Sequence, residues 1–188
     1  IAAGEGGMLT CKTKIMAEQA LKLRTHGITK NSEELIENHG GWYYEMQALG
    51  YNYRLTDIQS ALALSQLQRA DQMLARRKLL AERYHHALVN LPLKLPGTSE
   101  EIGHAYHLFV IRLARRTALY DYLKTQQILC QIHYIPVHLH PYYQSLGFKK
   151  KQFPNAESFY ETCMSIPLYP SMTDEQQAYV IEKIKSFF

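Results

Sequence analysis

The apolar positions of this chain fall into helical and extended periods, with glycine and proline between them. Lys14 to Arg24 carries Ile15, Ala20, Leu21 and Leu23 at helical spacing. Gly27 after His26 supplies a stop, because glycine adopts the left-handed conformation that ends helices. Upstream, Gly4-Glu5-Gly6-Gly7 predicts a tight turn and Met8 to Cys11 a short strand. Residues 29–41 are polar, with Glu33, Glu34, Glu37 and the pair Gly40-Gly41, which predicts a loop or a short surface helix. Trp42 to Met46 reads as extended. Thr56-Asp57-Ile58-Gln59 has the spacing of a capping box. From it an apolar series runs through Ile58, Leu62, Leu67, Met73, Leu80, Tyr84 and Leu88. The spacing predicts one helix to Asn90, ahead of Pro92. Such a helix is about 50 Å long and suits a spacer between two domains.

Beyond it, residues 91–104 hold Pro92, Pro96, Gly97 and Gly103 and predict a loop. Tyr106 to Leu113 predicts a strand, Thr117 to Gln126 a helix, and Ile128 to Tyr134 a second strand ended by Pro136. His138 to Leu146 predicts a short helical turn. Pro154 opens a helix over Ala156 to Met164, since proline fits the first helical turn. Ser165 to Leu168 is extended. Thr173-Asp174-Glu175-Gln176 is a second capping box, opening a last helix to about Lys185. The alternation from residue 91 onward predicts a small α/β unit, a sheet covered by helices.

Composition narrows the class. The chain is 46% hydrophobic and 20% charged, ordinary for a globular protein. Its net charge of +4 is spread without a run of five like charges, which argues against nucleic acid as a partner. The three cysteines, Cys11, Cys130 and Cys163, are scattered, as free thiols of a reducing cytoplasm would be. No apolar run approaches the length of a membrane-spanning helix. The chain begins at Ile1, within what reads as a strand and a Gly-rich turn, so a fragment is expected.

Two polar groups are candidates for chemistry. Tyr51-Asn52-Tyr53-Arg54 offers an amide, two phenols and a guanidinium just before a helix start, which suits an anionic or polar ligand. Glu45 is the expected ion-pair partner of Arg54. The second group is Gln131 to Tyr143, with His133, His138 and His140. Strand alternation places Gln131, His133 and Ile135 on one side. These histidines lack metal-ligand spacing, so no metal is expected, and ordinary surface histidines are the plain alternative. The Gly4–Gly7 turn lacks the dinucleotide-binding spacing, and no G-x-S-x-G nucleophile motif occurs. Residue chemistry alone therefore leaves two ligand-contacting segments and no visible catalyst.

Gly4-Glu5-Gly6-Gly7, His26-Gly27 and Gly50-Tyr51-Asn52-Tyr53-Arg54-Leu55-Thr56-Asp57-Ile58-Gln59 together resemble the DegT/DnrJ/EryC1/StrS sugar-nucleotide aminotransferases. Trp42 to Arg54, His133-Tyr134-Ile135-Pro136-Val137-His138 with Pro141-Tyr142-Tyr143, and Ser165 to Pro170 look most like one branch. That branch is the UDP-4-amino-4,6-dideoxy-N-acetyl-β-L-altrosamine transaminases of pseudaminic acid biosynthesis. The resemblance implies an α/β protein of PLP-dependent transferase fold type I, the aspartate-aminotransferase-like fold. Residues 1–55 would be the end of the large PLP-binding domain, 56–90 a linking helix, and 91–188 the small C-terminal domain.

The resemblance also implies a homodimer with active sites at the subunit boundary. Its cofactor would be pyridoxal 5'-phosphate (PLP). Its substrates would be L-glutamate and a UDP-linked 4-keto-6-deoxy sugar, whose C4 receives the amine. The PLP-binding lysine of the family stands a few residues before the G-E-G-G turn, which places it about two positions before Ile1. The chain alone is therefore expected to be inactive. Asn52 would reach the PLP phosphate of the partner subunit. Tyr51, Tyr53 and Arg54 would line the same boundary. His133, Tyr134 and His138 would contact the nucleotide sugar. Two alternatives stay open: a PLP-dependent sugar dehydratase of the same family, with histidine in place of the lysine, and a non-catalytic dimerising fragment.

Overall fold

The first helix shows how this chain resolves its backbone polar groups. The helix, α1 (Lys14–Arg24), starts at Thr13, whose hydroxyl accepts from the Met16 amide at 3.3 Å. Its last carbonyls need partners from elsewhere. Leu23 and Arg24 receive the amides of Tyr51 and Tyr53, at 2.7 and 2.9 Å, and Lys22 receives the Gly27 amide at 2.9 Å. The polar stretch before the next long helix is thus fastened to the end of α1. The computed structural model describes residues 1–97 and 103–188, and the chain divides into two units, Ile1–Ala70 and Asp71–Phe188. The middle of the expected 91–104 loop lies outside the described residues.

In the first unit, β1 (Ile28–Thr29) pairs antiparallel with β2 (Glu45–Met46), Ile28 facing Met46. Two glycines let backbones cross here. A Cβ on Gly27, which has φ +69°, would lie 1.8 Å from the Ala48 carbonyl oxygen, and one on Gly50 2.2 Å from the Gly27 nitrogen. The Gly4–Gly7 turn also approaches this region, since a Cβ on Gly6 would lie 2.7 Å from the Leu55 side chain. The strand expected at Met8–Cys11 does not form; these residues have no ladder partner among the described residues.

α2 (Asp57–Gln68) starts with the expected capping box: the Thr56 hydroxyl accepts from the Gln59 amide, and the Gln59 side chain accepts from the Thr56 amide. The single long helix expected over 56–90 is two helices. α2 stops at Arg69, with φ −104° and ψ 4°, whose amide turns to the Gln66 and Leu67 carbonyls, and α3 (Ala70–Leu88) follows at once. The apolar period resumes in phase after Arg69, so the sequence hides the break.

The second unit holds the core. α3 buries Leu80, Ala81, Tyr84 and Leu88 against Phe109 and Ile111 of β3 (Phe109–Arg112). Leu119 and Leu123 of α4 (Arg116–Thr125), Met164 and Ile166 of β4 (Cys163–Ile166), and Val180 and Ile184 of α7 (Asp174–Phe187) complete it. Each buried Leu, Ile, Val, Met or Phe side chain among them contributes roughly 1.5–3 kcal/mol. β3 and β4 pair antiparallel with Phe109 opposite Ile166. Single bridges from Lys94 to Arg112 and from Gln131 to Ser165 extend the ladder on both sides.

The strand expected over Ile128–Tyr134 is reduced to the bridge at Gln131. Its first amide, Ile128, is drawn to the Leu123 carbonyl at the end of α4. The remaining helices are a turn of 3-10 helix at Val137–Leu139, α5 (Pro141–Ser145) and α6 (Pro154–Thr162). α6 ends earlier than its sequence period implies, because Cys163 and Met164 leave the helix to enter β4.

Candidate functional site

Residues 51–54 are extended, so their side chains alternate. The structure sorts them into two faces. Tyr51 and Tyr53 stack, ring centroids 4.7 Å apart and 11° from parallel. On the other face the Arg54 Nε donates to the Asn52 Oδ1 at 2.9 Å. That bond turns the amide oxygen toward Arg54, which leaves the two N–H donors for a ligand. The Asn52 backbone is fixed as well, by its bridge to Thr25. All four residues are exposed, Tyr53 at 69%. The pairing expected between Arg54 and Glu45 is not made. Glu45 instead accepts from the Ile36 amide at 2.9 Å, the Glu37 amide at 3.0 Å and the Tyr43 hydroxyl at 3.2 Å. Those bonds, the Ile36 amide first, hold its carboxyl below the usual range.

An exposed amide and guanidinium, on a backbone hydrogen-bonded to the end of α1 just before the capped helix α2, form a donor set that suits a phosphate dianion. The residues present therefore fit the phosphate end of PLP. No group of three His, Cys, Asp or Glu residues is placed to hold a metal ion among the described residues. None of their helices is long and apolar enough to cross a membrane.

The second candidate segment, in the second unit, is fastened at two points. At its start, Gln131 exchanges backbone hydrogen bonds with Ser165 of β4, at 2.8 and 3.1 Å, and the His133 Nδ1 lies 2.9 Å from the Ser165 hydroxyl. At its end, the His138 Nε2 lies 2.9 Å from the Glu157 Oε1 of α6, both residues being 7% exposed. The same carboxylate oxygen accepts the Lys151 amide at 2.7 Å. His138 and then the amides of Lys151 and Phe153 hold the Glu157 carboxyl below its usual range. Between the fastenings Tyr134 stands 73% exposed, its ring edge-on to His133 at 4.7 Å. His133 and Tyr134 thus lie together at an open position. His138, which the family resemblance implies as a sugar-nucleotide contact, lies inside, against the Phe153 ring at 4.7 Å and paired with Glu157.

Sequence reasoning missed Ser165 and Glu157. Ser165 is the lone hydroxyl in Cys163–Ile166, a fully buried strand, which gives no cue beyond a polar residue among apolar ones. Glu157 carries the signature of an ordinary first-turn helix acid. Nothing in the sequence ties it to His138, nineteen positions away.

The family model of the DegT/DnrJ/EryC1/StrS aminotransferases matches residues 1–185. The spore coat polysaccharide biosynthesis protein SpsC of Bacillus subtilis is 39% identical over 98% of this chain and 50% of its own length. The chain spans about half the length of the curated relatives it matches. Among solved structures, the PMP form of Spr1654 from Streptococcus pneumoniae, described as a sugar aminotransferase, superposes with a TM-score of 0.83. It is 28% identical, with 92% of this chain and 45% of that one covered. PseC of Helicobacter pylori, an aminotransferase involved in pseudaminic acid biosynthesis, superposes with a TM-score of 0.79 at 25% identity, with 94% and 47% covered. The family resemblance carried by Gly4–Gly7, His26-Gly27 and Gly50–Gln59 is thereby confirmed: this chain belongs to the DegT/DnrJ/EryC1/StrS aminotransferase family and has the fold of its fold type I sugar aminotransferases.

Proposed function

We propose that the protein to which this chain belongs transfers an amino group from L-glutamate to C4 of a UDP-4-keto-6-deoxy-N-acetylhexosamine. The product would serve pseudaminic acid or surface-polysaccharide biosynthesis. The observation that carries the reading is the Asn52–Arg54 donor pair, held by the end of α1 and placed before the capped α2. Family membership and the likeness to SpsC and PseC support the substrate class. When bound, PLP supplies the electron sink and the carbonyl that carries the amine between the two substrates.

This chain's residues bind and orient. The N–H groups of Asn52 donate to phosphate oxygens, and Arg54 adds charge and holds the amide in register. The stacked pair Tyr51–Tyr53 presents a flat aromatic wall beside them. His133 and Tyr134 present an imidazole and a phenol to the nucleotide sugar, suited to its hydroxyl and phosphate oxygens. His138 serves from inside rather than by contact. The working form is a homodimer in the cytoplasm, with Asn52 reaching the phosphate bound by the partner subunit.

Asn52→Ala, in a polypeptide that includes this chain and the PLP-binding lysine, tests the reading. An absorbance titration should show PLP held about tenfold more weakly, the cost of one charge-assisted hydrogen bond. An unchanged PLP affinity would remove the phosphate role from Asn52.

A further inference from the structure

We infer that Glu157 is a positioning residue for nucleotide-sugar binding, acting through His138 to hold the segment that presents His133 and Tyr134. This rests on the proposed contact of those two residues with the sugar nucleotide. A segment that, among the described residues, pairs with the sheet only at Gln131 has little secondary structure to fix its shape. It is fixed instead by side chains. Ser165 holds its first part, through the Gln131 backbone pair and the His133 ring. Glu157 holds its last part, by accepting from the His138 ring across the interior.

The same carboxylate oxygen takes the Lys151 amide, so one acidic group joins the 3-10 turn, the approach to α6 and α6 itself. A carboxylate buried to 7% exposure is costly unless fully partnered, and here ring and amide N–H groups meet it. Tyr134, 73% exposed, lies between the two fastenings. Its place is set by both, since the five peptides from His133 to His138 leave little slack once each end is fixed. The role is pre-organisation: the loop adopts its binding shape before the ligand arrives, so ordering it subtracts nothing from affinity.

The inference predicts a split in kinetic constants. In the intact enzyme, Glu157→Leu removes the acceptor at similar size, and His138→Phe removes the ring nitrogens while keeping an aromatic ring. Each should raise the KM for the UDP-4-keto-6-deoxy sugar about tenfold, leaving the KM for glutamate unchanged. Glu157→Gln keeps an acceptor oxygen and should restore the sugar KM to within about twofold. Equal effects on both KM values, or an unchanged sugar KM in Glu157→Leu, would overturn the inference. If the leucine and phenylalanine variants do not fold, Glu157→Asp, which withdraws the carboxylate by one methylene, is measured instead, and an unchanged sugar KM there overturns it equally. Tyr134→Ala separates this inference from the reading beneath it. If that variant leaves the sugar KM unchanged, the segment does not bind the sugar and both fall. If it raises the sugar KM while Glu157→Leu does not, only the role of Glu157 falls.

Discussion

Asn52 shows how much of a site one hydrogen bond can decide. An asparagine amide offers both donor and acceptor, and only its neighbours determine which face a ligand meets. Here the Arg54 Nε occupies the oxygen, so the side chain becomes a donor. The sequence showed that these residues are adjacent but not that they fall on two faces, because that depends on residues 51–53 running extended along the end of α1. The fastening depends in turn on Gly50, which crosses the backbone at Gly27. Gly50→Ala places a methyl group 2.2 Å from the Gly27 nitrogen, a contact that only a backbone shift relieves. We expect it to destabilise the protein by about 1–3 kcal/mol, as overpacking does, and to weaken PLP binding together with the fold. A thermal melt unchanged within error would show that the crossing is looser than described.

At the scale of elements, local signals were legible and long-range ones were not. Both capping boxes, at Thr56 and Thr173, formed as the spacing predicts, because four consecutive residues suffice to make one. The β-structure depended on distant partners. Ile128–Tyr134 has the composition of a strand, yet it pairs only at Gln131, while Cys163 and Met164 were drawn from an expected helix into β4. The break at Arg69 had no signal at all, since neither glycine nor proline marks it.

The capped start of α7 carries a pH dependence of its own. Asp174, its first residue, meets the Arg83 guanidinium at 2.5 Å and that of Arg76 at 2.8 Å. Arg83 first, then Arg76, lowers its carboxyl to about 2. A depressed folded-state value means that the pair stabilises fully above the ordinary carboxylate range and loses that contribution as the pH falls through the folded value. The loss therefore belongs between about pH 4 and pH 2. Asp174→Asn should lower the melting temperature at neutral pH and flatten its decline across that window. A variant curve parallel to the parent's would contradict the assignment.

At the scale of the whole molecule, the family was legible and the mechanics of the site were not. Contiguous motifs such as Gly50–Gln59 carry the likeness in the order of their residues, and the family model matches residues 1–185. The burial of His138, its pairing with Glu157 and the hold of Ser165 on His133 arise only once α6 and β4 are folded against the segment. The two units also differ in kind. The second unit closes a core of its own around Tyr84 and Phe109, whereas α1 and α2 of the first bury no residue.

The proposed reaction delivers the amine of glutamate to the sugar. A polypeptide including this chain and the PLP-binding lysine, supplied with 15N-labelled L-glutamate and UDP-4-keto-6-deoxy-N-acetylhexosamine, tests it by mass spectrometry of the product. The expected product is a 4-amino sugar nucleotide carrying the label, with 2-oxoglutarate formed in equal amount. A product without nitrogen gained at C4, such as a dehydrated sugar nucleotide, would contradict it.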